Sequence, residues 1–226
     1  MNLSYSAAVR LGFAALCVSA IPATSALAAD ASAAPAAGQC ELHVWPSGGV
    51  GVRTAGLGVG FGIIGALADA KGHETGDRAR TSAASNAFGP DKQLAALVAD
   101  DPAGALHLAS YRLVPHDQPL PFKDARTKVR HSDSTSPCYA ELITSSILYY
   151  KGAIYKGTLN VNFVYLKFGD KPKAVSSYRD LIRHAPKLAD ARSATAISEA
   201  GDRFAELYSE SFKQFAAAAV AQPAWK

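Results

Sequence analysis

The sequence predicts an α+β fold, with a small antiparallel sheet, helices packed on one face and a long C-terminal helix. Residues 138–150 and 158–168 are rich in β-branched and aromatic side chains and are separated by Lys-Gly turn candidates, which is typical of a hairpin in the C-terminal half. Residues 41–45 alternate as a half-buried strand does. Residues 188–221 repeat apolar side chains every three or four positions, which predicts the long final helix.

The remaining elements follow from local signals. Pro90 stands where a first helical turn tolerates proline, so residues 90–99 are predicted as a helix. Residues 106–114 alternate and end before Pro115, which predicts a strand. Asp170 can cap a helix with Pro172 in its first turn, so residues 170–184 are predicted as a helix. The polar residues 72–86 fit either a loop or a solvated helix.

The N-terminal 29 residues have the features of a Sec-type signal peptide. Arg10 supplies the positive charge, and the apolar run from Leu11 to Ile21 is too short to cross a bilayer. Small residues precede a cleavage point after Ala28 or Ala29. We therefore expect residues 1–29 to be a signal peptide, 30–38 a flexible leader and 39–226 a single domain.

The predicted location is the periplasm or the exterior of the cell. Cys17 follows Leu16, where a lipidation signal needs a small residue, so we do not expect a lipoprotein. The chain has 23 basic and 19 acidic side chains, and removing Arg10 with the signal peptide leaves a net charge of +3 (22 − 19). That small and scattered charge, in an exported protein, argues against nucleic acid as a partner.

Two cysteines, Cys40 and Cys138, remain after cleavage. An even count in an oxidising compartment favours a disulfide over a redox or metal role, since no Cys-x-x-Cys pair is present. A bridge closing roughly 100 residues stabilises by roughly 4–5 kcal/mol on the chain-entropy model. It also predicts that the two Cα atoms lie within about 6 Å of each other.

Residues 40–46 (CELHVWP) and 138–142 (CYAEL) resemble segments of a group of exported proteobacterial proteins of uncharacterised function. The similarity extends over most of the mature chain. It implies no activity, cofactor or catalytic residue, and it agrees with pairing the two cysteines.

The glycine-rich segment 54–70 contains glycines at five closely spaced positions: Gly56, Gly58, Gly60, Gly62 and Gly65. The last three match a dinucleotide-binding pattern, but no strand directly precedes them and no βαβ unit follows. The four-residue spacings also suit close helix packing. Three interpretations stay open: burial in the protein's own core, contact with a membrane, or an interface between subunits.

No motif predicts a metal or a cofactor, and the catalytic residues are unknown. The stretch 73–77 (HETGD) differs from a zinc-protease motif because Asp77 stands in place of the second histidine. Six histidines are dispersed, and only His43 and His107, on two predicted strands, could be near each other. We expect neither a metal site nor a bound cofactor.

Arg126, Lys128 and Arg130 alternate, so an extended chain would place them on one face. Such a basic face could contact anionic lipid or polysaccharide of the envelope. The alternative is an edge strand that charged residues keep from pairing with other chains.

These observations favour a non-enzymatic binding or assembly component of the cell envelope, whose partner is an envelope component or a second copy. One alternative is a hydrolase of envelope polymers, with Glu41 or Glu141 in a cleft beside His43 or His107. Another is a protein that associates with itself or a membrane through residues 54–70.

Overall fold

The computed structural model describes residues 39–54, 62–152, 157–185 and 193–223, and for residues 62–74 it describes the helical backbone alone. Within these ranges the chain folds as predicted into an α+β domain with a six-stranded sheet and a long C-terminal helix. The strands are β1 (Glu41–Trp45), β2 (Val50–Thr54), β3 (Arg112–Pro115), β4 (Tyr139–Lys151), β5 (Thr158–Gly169) and β6 (Ser176–His184). The helices are α1 (Gly62–Ala87), α2 (Pro90–Ala99), α3 (Pro102–Ala105), α4 (Ala194–Glu199) and α5 (Gly201–Val220), with a 3₁₀ turn at Asp124–Arg126.

The sheet has the strand order β3-β1-β4-β5-β6, and β2 pairs with β4 beyond the end of β1. Its two longest ladders, β4 with β5 and β5 with β6, are antiparallel, so the predicted hairpin is confirmed. β1 runs parallel to β3 and β4, and β2 also runs parallel to β4. Parallel pairing needs long connections, and about 90 residues separate β1 from β4 along the chain.

One face of the sheet packs against the helices. Alternate side chains of β1, β4 and β5, among them Leu42, Leu142 and Phe163, are fully buried there. The amphipathic helix α5 supplies the opposing layer, because its apolar residues recur every three or four positions. Its fully or almost fully buried side chains include Phe204, Leu207, Tyr208, Phe212 and Phe215.

Residues 170–184 are not the predicted helix: Ser176–His184 forms β6, antiparallel to β5. The side chains of this segment alternate with a period of two, as in a strand: Tyr178 and Ile182 pack toward the core, and Arg179 and Leu181 point outward. A strand of this kind is stabilised by its neighbour, which local helix signals do not report.

Two smaller differences concern boundaries, and one open alternative is decided. The predicted strand 106–114 is limited to Arg112–Pro115, because Leu106 ends the short helix α3 and His107 has a φ of 57°, which is not a strand conformation. Of the predicted helix 188–221, residues 188–192 lie outside the described residues, and the remainder is divided into α4 and α5 next to Ala200. Residues 72–86 belong to α1, so of the two alternatives the helix is observed, and it is partly buried because Ala84 lies in the core.

Of the predicted glycine-rich segment, Gly62 and Gly65 lie in α1, whereas Gly56, Gly58 and Gly60 lie outside the described residues. In the part of the chain that the structure describes, no helix has both the length and the apolar character needed to cross a membrane.

The disulfide between Cys40 and Cys138 is present, with 4.7 Å between the Cα atoms, as the sequence predicts. Each cysteine immediately precedes one of two parallel neighbours, β1 and β4. The Glu41 N–H donates to the Cys138 carbonyl at 3.1 Å, so the ladder begins directly beside the bridge. The bridge therefore fixes the register of the sheet as well as the proximity of its strands.

Candidate functional site

The sheet face opposite the helices is the candidate site, and it has two halves of different character. Near the disulfide, residues 116–137 pass over it, with Ala125 buried against the apolar side chains of the sheet. Farther along β4, β5 and β6, side chains such as Tyr150 and Leu181 are 42% and 39% exposed. The first half holds a buried polar cluster and the second is open to solvent.

The covered half contains Glu41, whose side chain is 2% exposed. Its carboxylate accepts hydrogen bonds from His43 Nε2 at 3.0 Å and Arg112 Nη2 at 2.9 Å, and another from the Ser134 hydroxyl. His43 Nδ1 lies 2.8 Å from His116 Nε2. One pair of neutral tautomers satisfies this chain: His116 donates to His43, and His43 donates to Glu41.

The protonation states fit that arrangement. Burial disfavours the charged form of Glu41, but the hydrogen bonds from Ser134, His43 and Arg112 outweigh it and lower its pKa to about 2. Burial lowers the pKa of His116 to about 4, and the nearby His43 adds to the effect. Burial also lowers the pKa of His43. Near neutral pH the cluster therefore holds one carboxylate and two neutral imidazoles.

Glu141 forms a second cluster on the adjacent strand. The His131 backbone N–H and the Tyr139 hydroxyl donate to Oε1 at 2.7 and 2.6 Å, and His131 Nδ1 donates to Oε2 at 2.7 Å. His131 Nε2 lies 2.8 Å from the Asp124 carbonyl, so both ring nitrogens face acceptors. Burial opposes the charge, but Glu141 outweighs it and raises the pKa of His131. Below this raised pKa, His131 is an imidazolium paired with the buried side chain of Glu141.

Aromatic and guanidinium groups enclose both clusters. The ring of His116 stacks on that of Trp45, with 4.1 Å between centroids and 4° between planes. The guanidinium of Arg130 lies 4.6 Å from the centre of the Tyr139 ring and donates to the Gly169 carbonyl at 2.6 Å. We call the two clusters together the buried carboxylate network: Glu41, His43, Arg112, His116, His131, Ser134, Tyr139 and Glu141. Its carboxylates are enclosed and held by protein groups, as a structural polar network requires.

The open half carries three arginines, one on β2 and two on β6. Arg53 of β2 is paired with Tyr150 of β4, and Arg183 of β6 with Asn160 of β5. Arg179 is four residues from Arg183, so both point to this side of the sheet. We call this surface the open sheet face, and its exposed members are Arg53, Tyr150, Arg179, Leu181 and Arg183.

The charge of the open sheet face is of one sign. Among the described residues, no carboxylate lies on the open sheet face. Asp180, between Arg179 and Leu181 in the sequence, points to the helix side, where it accepts a hydrogen bond from Tyr178. The three arginines form no ion pair with any other described residue. The side-chain oxygens of Asn160 and Asn162, on the strand between them, are buried without a hydrogen-bond partner in the described ranges. The surface is thus cationic, and the strand beneath it holds two buried side-chain oxygens without a described partner.

The basic residues singled out from the sequence are placed differently from one another. Arg126 and Lys128 are exposed, and the guanidinium of Arg126 lies 4.9 Å from the centre of the Phe122 ring. Arg130 is half-buried over Tyr139 and caps backbone carbonyls. The guanidinium of Arg130 therefore holds residues 116–137 against the sheet and does not form one basic face with Arg126 and Lys128.

The histidines and glutamates considered for catalysis or metal binding are divided between sites. Glu41, Glu141 and His43 share the buried carboxylate network, whereas His107 is exposed and lines a pocket on the helix side. Within the described ranges, no three His, Cys, Asp or Glu side chains are grouped as metal ligands would be.

Sequence reasoning missed His116 and His131, which reach the network from irregular segments with no periodic signal. It also missed Arg179 and Arg183, because residues 170–184 were predicted as a helix. The signal that could have found these arginines is the strict alternation of outward and inward residues along Ser176–His184.

Comparison with known proteins adds little to this description. No family model matches the chain, and no curated protein matches it. One solved structure, described as "Crystal structure of uncharacterized protein", is 12% identical, with a TM-score of 0.29 over 81% of this chain and 91% of that chain. A likeness that weak carries no argument about fold or function.

Proposed function

We propose that the protein is an exported, non-enzymatic component of the cell envelope that binds an anionic polysaccharide on the open sheet face. The observation that carries the proposal is a set of three exposed arginines, none of which has an ion pair with a described residue. They share this face with an exposed tyrosine, and no carboxylate is among the described residues of the face. Arginine presents planar, paired donors to carboxylate or phosphate groups, and tyrosine offers a flat ring to a sugar.

The spacing of the arginines supports an extended ligand. Arg53 and Arg183 are separated by three strand spacings, roughly 14 Å, and Arg179 and Arg183 by four residues, roughly 13 Å. One small anion cannot contact all three positions at once. A polymer with charges repeated along its length can contact all three, and it gains affinity because each further contact is intramolecular.

The buried carboxylate network supports a non-enzymatic role. Glu41 and Glu141 are the acids placed most like a catalytic pair, yet they are 2% and 0% exposed. Each accepts hydrogen bonds from its own set of side chains. A hydrolase needs carboxylates that reach the substrate, so this burial favours binding over hydrolysis.

The test is calorimetric titration with polygalacturonate, a polymer with one carboxylate per sugar, beside neutral dextran. We expect the wild type to bind polygalacturonate, less tightly at higher salt, and not dextran. The double variant Arg179→Gln/Arg183→Gln should lose at least tenfold in affinity. The matched control, Arg126→Gln/Lys128→Gln, removes two exposed charges elsewhere and should bind as the wild type does.

Two outcomes would overturn the assignment. One is an unchanged affinity in the Arg179/Arg183 variant, or a loss confined to the Arg126/Lys128 variant. The other is absent polysaccharide binding with strong binding to anionic phospholipid vesicles, which would identify a membrane surface instead. The export step is tested separately by mass spectrometry of the periplasmic fraction, where we expect a mature chain beginning at Ala29 or Asp30.

A further inference from the structure

A second site lies on the opposite side of the sheet from the open sheet face. It is a cavity of about 320 Å³ between the end of α5, strand β5 and the turn that follows α3. This volume is at the small end of the range of ligand pockets. The lining residues are Leu106, His107, Leu108, Tyr165, Lys167, Ala219 and Val220.

The wall of the pocket is mostly apolar and well fixed. Leu106 is 4% exposed and Leu108 is 8% exposed, so both are anchored in the core while they border the cavity. The Leu108 N–H donates to the Ala103 carbonyl at 2.7 Å, and the His107 N–H donates to the Gly104 carbonyl at 3.0 Å. These bonds hold the turn although His107 has a φ of 57°. The pocket is therefore formed before any ligand arrives.

Among the lining residues, Lys167 carries a positive charge and no residue carries a negative one. Lys167 is half-buried and makes no ion pair with any described residue. His107 is exposed at the edge, and no carboxylate belongs to the lining. An ammonium group beside an apolar cavity is complementary to a molecule with an apolar body and one anionic group.

We infer that this pocket binds a small amphipathic monocarboxylate, with its chain against Leu106, Leu108 and Val220 and its carboxylate on Lys167. The site is independent of the proposed polysaccharide surface, because Tyr165 and Lys167 face the helix side of the sheet. Either assignment can fail without affecting the other.

The experiment is calorimetric titration of the full mature chain with octanoate and, in parallel, with octanamide, which has the same chain without the charge. We expect octanoate to bind the wild type more tightly than octanamide does. Lys167→Gln should weaken octanoate binding about tenfold and leave octanamide unchanged, since one charge-assisted contact is lost. Lys171→Gln removes an exposed lysine outside the pocket and should have no effect.

A second variant tests the location through shape instead of charge. Val220 is half-buried at the end of α5, so Val220→Trp should fill the cavity and abolish binding of both probes, with folding checked by circular dichroism. The inference is overturned if the wild type does not bind octanoate or binds the two probes equally. It is also overturned if Lys167→Gln binds octanoate as tightly as the wild type.

Discussion

Replacing His116 by phenylalanine should remove much of the acid sensitivity of the fold. The pKa of His116 falls from 6.5 to about 4 on folding, because burial and the neighbouring His43 disfavour its charged form. A histidine with a depressed pKa stabilises the folded state fully above pH 6.5, and that stability is lost as the pH falls toward 4. Between pH 4 and pH 6.5, His116 is protonated in more of the unfolded chains than of the folded ones, so the free energy of unfolding rises with pH over this range.

The size of the effect follows from the shift. About 2.5 pKa units correspond to at most about 3 kcal/mol, since one unit is about 1.4 kcal/mol and the side chain is only half-buried. Phenylalanine keeps a ring to stack on Trp45 but cannot donate to His43. At pH 7.5 the variant should therefore be less stable by about 1 kcal/mol, the net value of one hydrogen bond.

Urea unfolding at pH 7.5, 6.5, 5.5 and 4.5 measures both effects. The wild type should lose stability steadily below pH 6.5, and His116→Phe should lose about 2 kcal/mol less over the same interval. His107→Asn is the control, because it removes an exposed histidine with a residue that tolerates positive φ. Equal pH slopes for wild type and His116→Phe would refute the assignment of a neutral, buried imidazole.

Two further predictions concern the other cluster and a tight turn. Glu141→Gln leaves the His131 imidazolium without its carboxylate and should lower the free energy of unfolding by about 3–5 kcal/mol at pH 6. Because Glu141 raises the pKa of His131, the stability from this pair is present below pH 6.5 and is lost as the pH rises above it, so the variant should cost less at pH 9. A cost that does not change with pH would contradict the pairing. Gly49→Ala should lower the free energy of unfolding by more than about 1 kcal/mol, because Gly49 has a φ of 129° and an added Cβ would lie 2.8 Å from the Cβ of Ser85. The control is Gly48→Ala at an exposed position, where the added Cβ would lie 4.0 Å from its nearest neighbour and should change the free energy of unfolding by less than about 0.5 kcal/mol. Equal melting temperatures for the two variants would show that the turn relaxes.

The elements with strong local signals could be predicted from the sequence. Pro90–Ala99 is a helix with the predicted bounds, because proline starts it and its apolar residues have helical spacing. The hairpin of β4 and β5 follows from its β-branched and aromatic runs. Residues 170–184 were misassigned because Asp170 and Pro172 imitate a helix start, while pairing with β5 determines the outcome.

The candidate site was predicted only in part. The alternation of Glu41, His43 and Trp45 shows that polar side chains share a face with an aromatic one, but it does not show what covers that face. His116, His131 and Ser134 come from segments without regular structure, and their positions depend on how residues 116–137 cross the sheet. Nor could the sequence show that Arg53 and Arg183 share a face, because that depends on strand order.

The position of β4 in the sheet has a consequence for the order of folding. β4 is the partner of β1, β2 and β5, yet it begins about 90 residues after the end of β1. A chain that emerges N-terminus first, whether from a ribosome or a translocation channel, presents β1 and β2 long before the strand that completes them. These contacts have a large sequence separation, which slows folding and leaves apolar strands unpaired for longer. β1 and β2 can therefore complete their ladders only after β4, which ends at Lys151, has emerged.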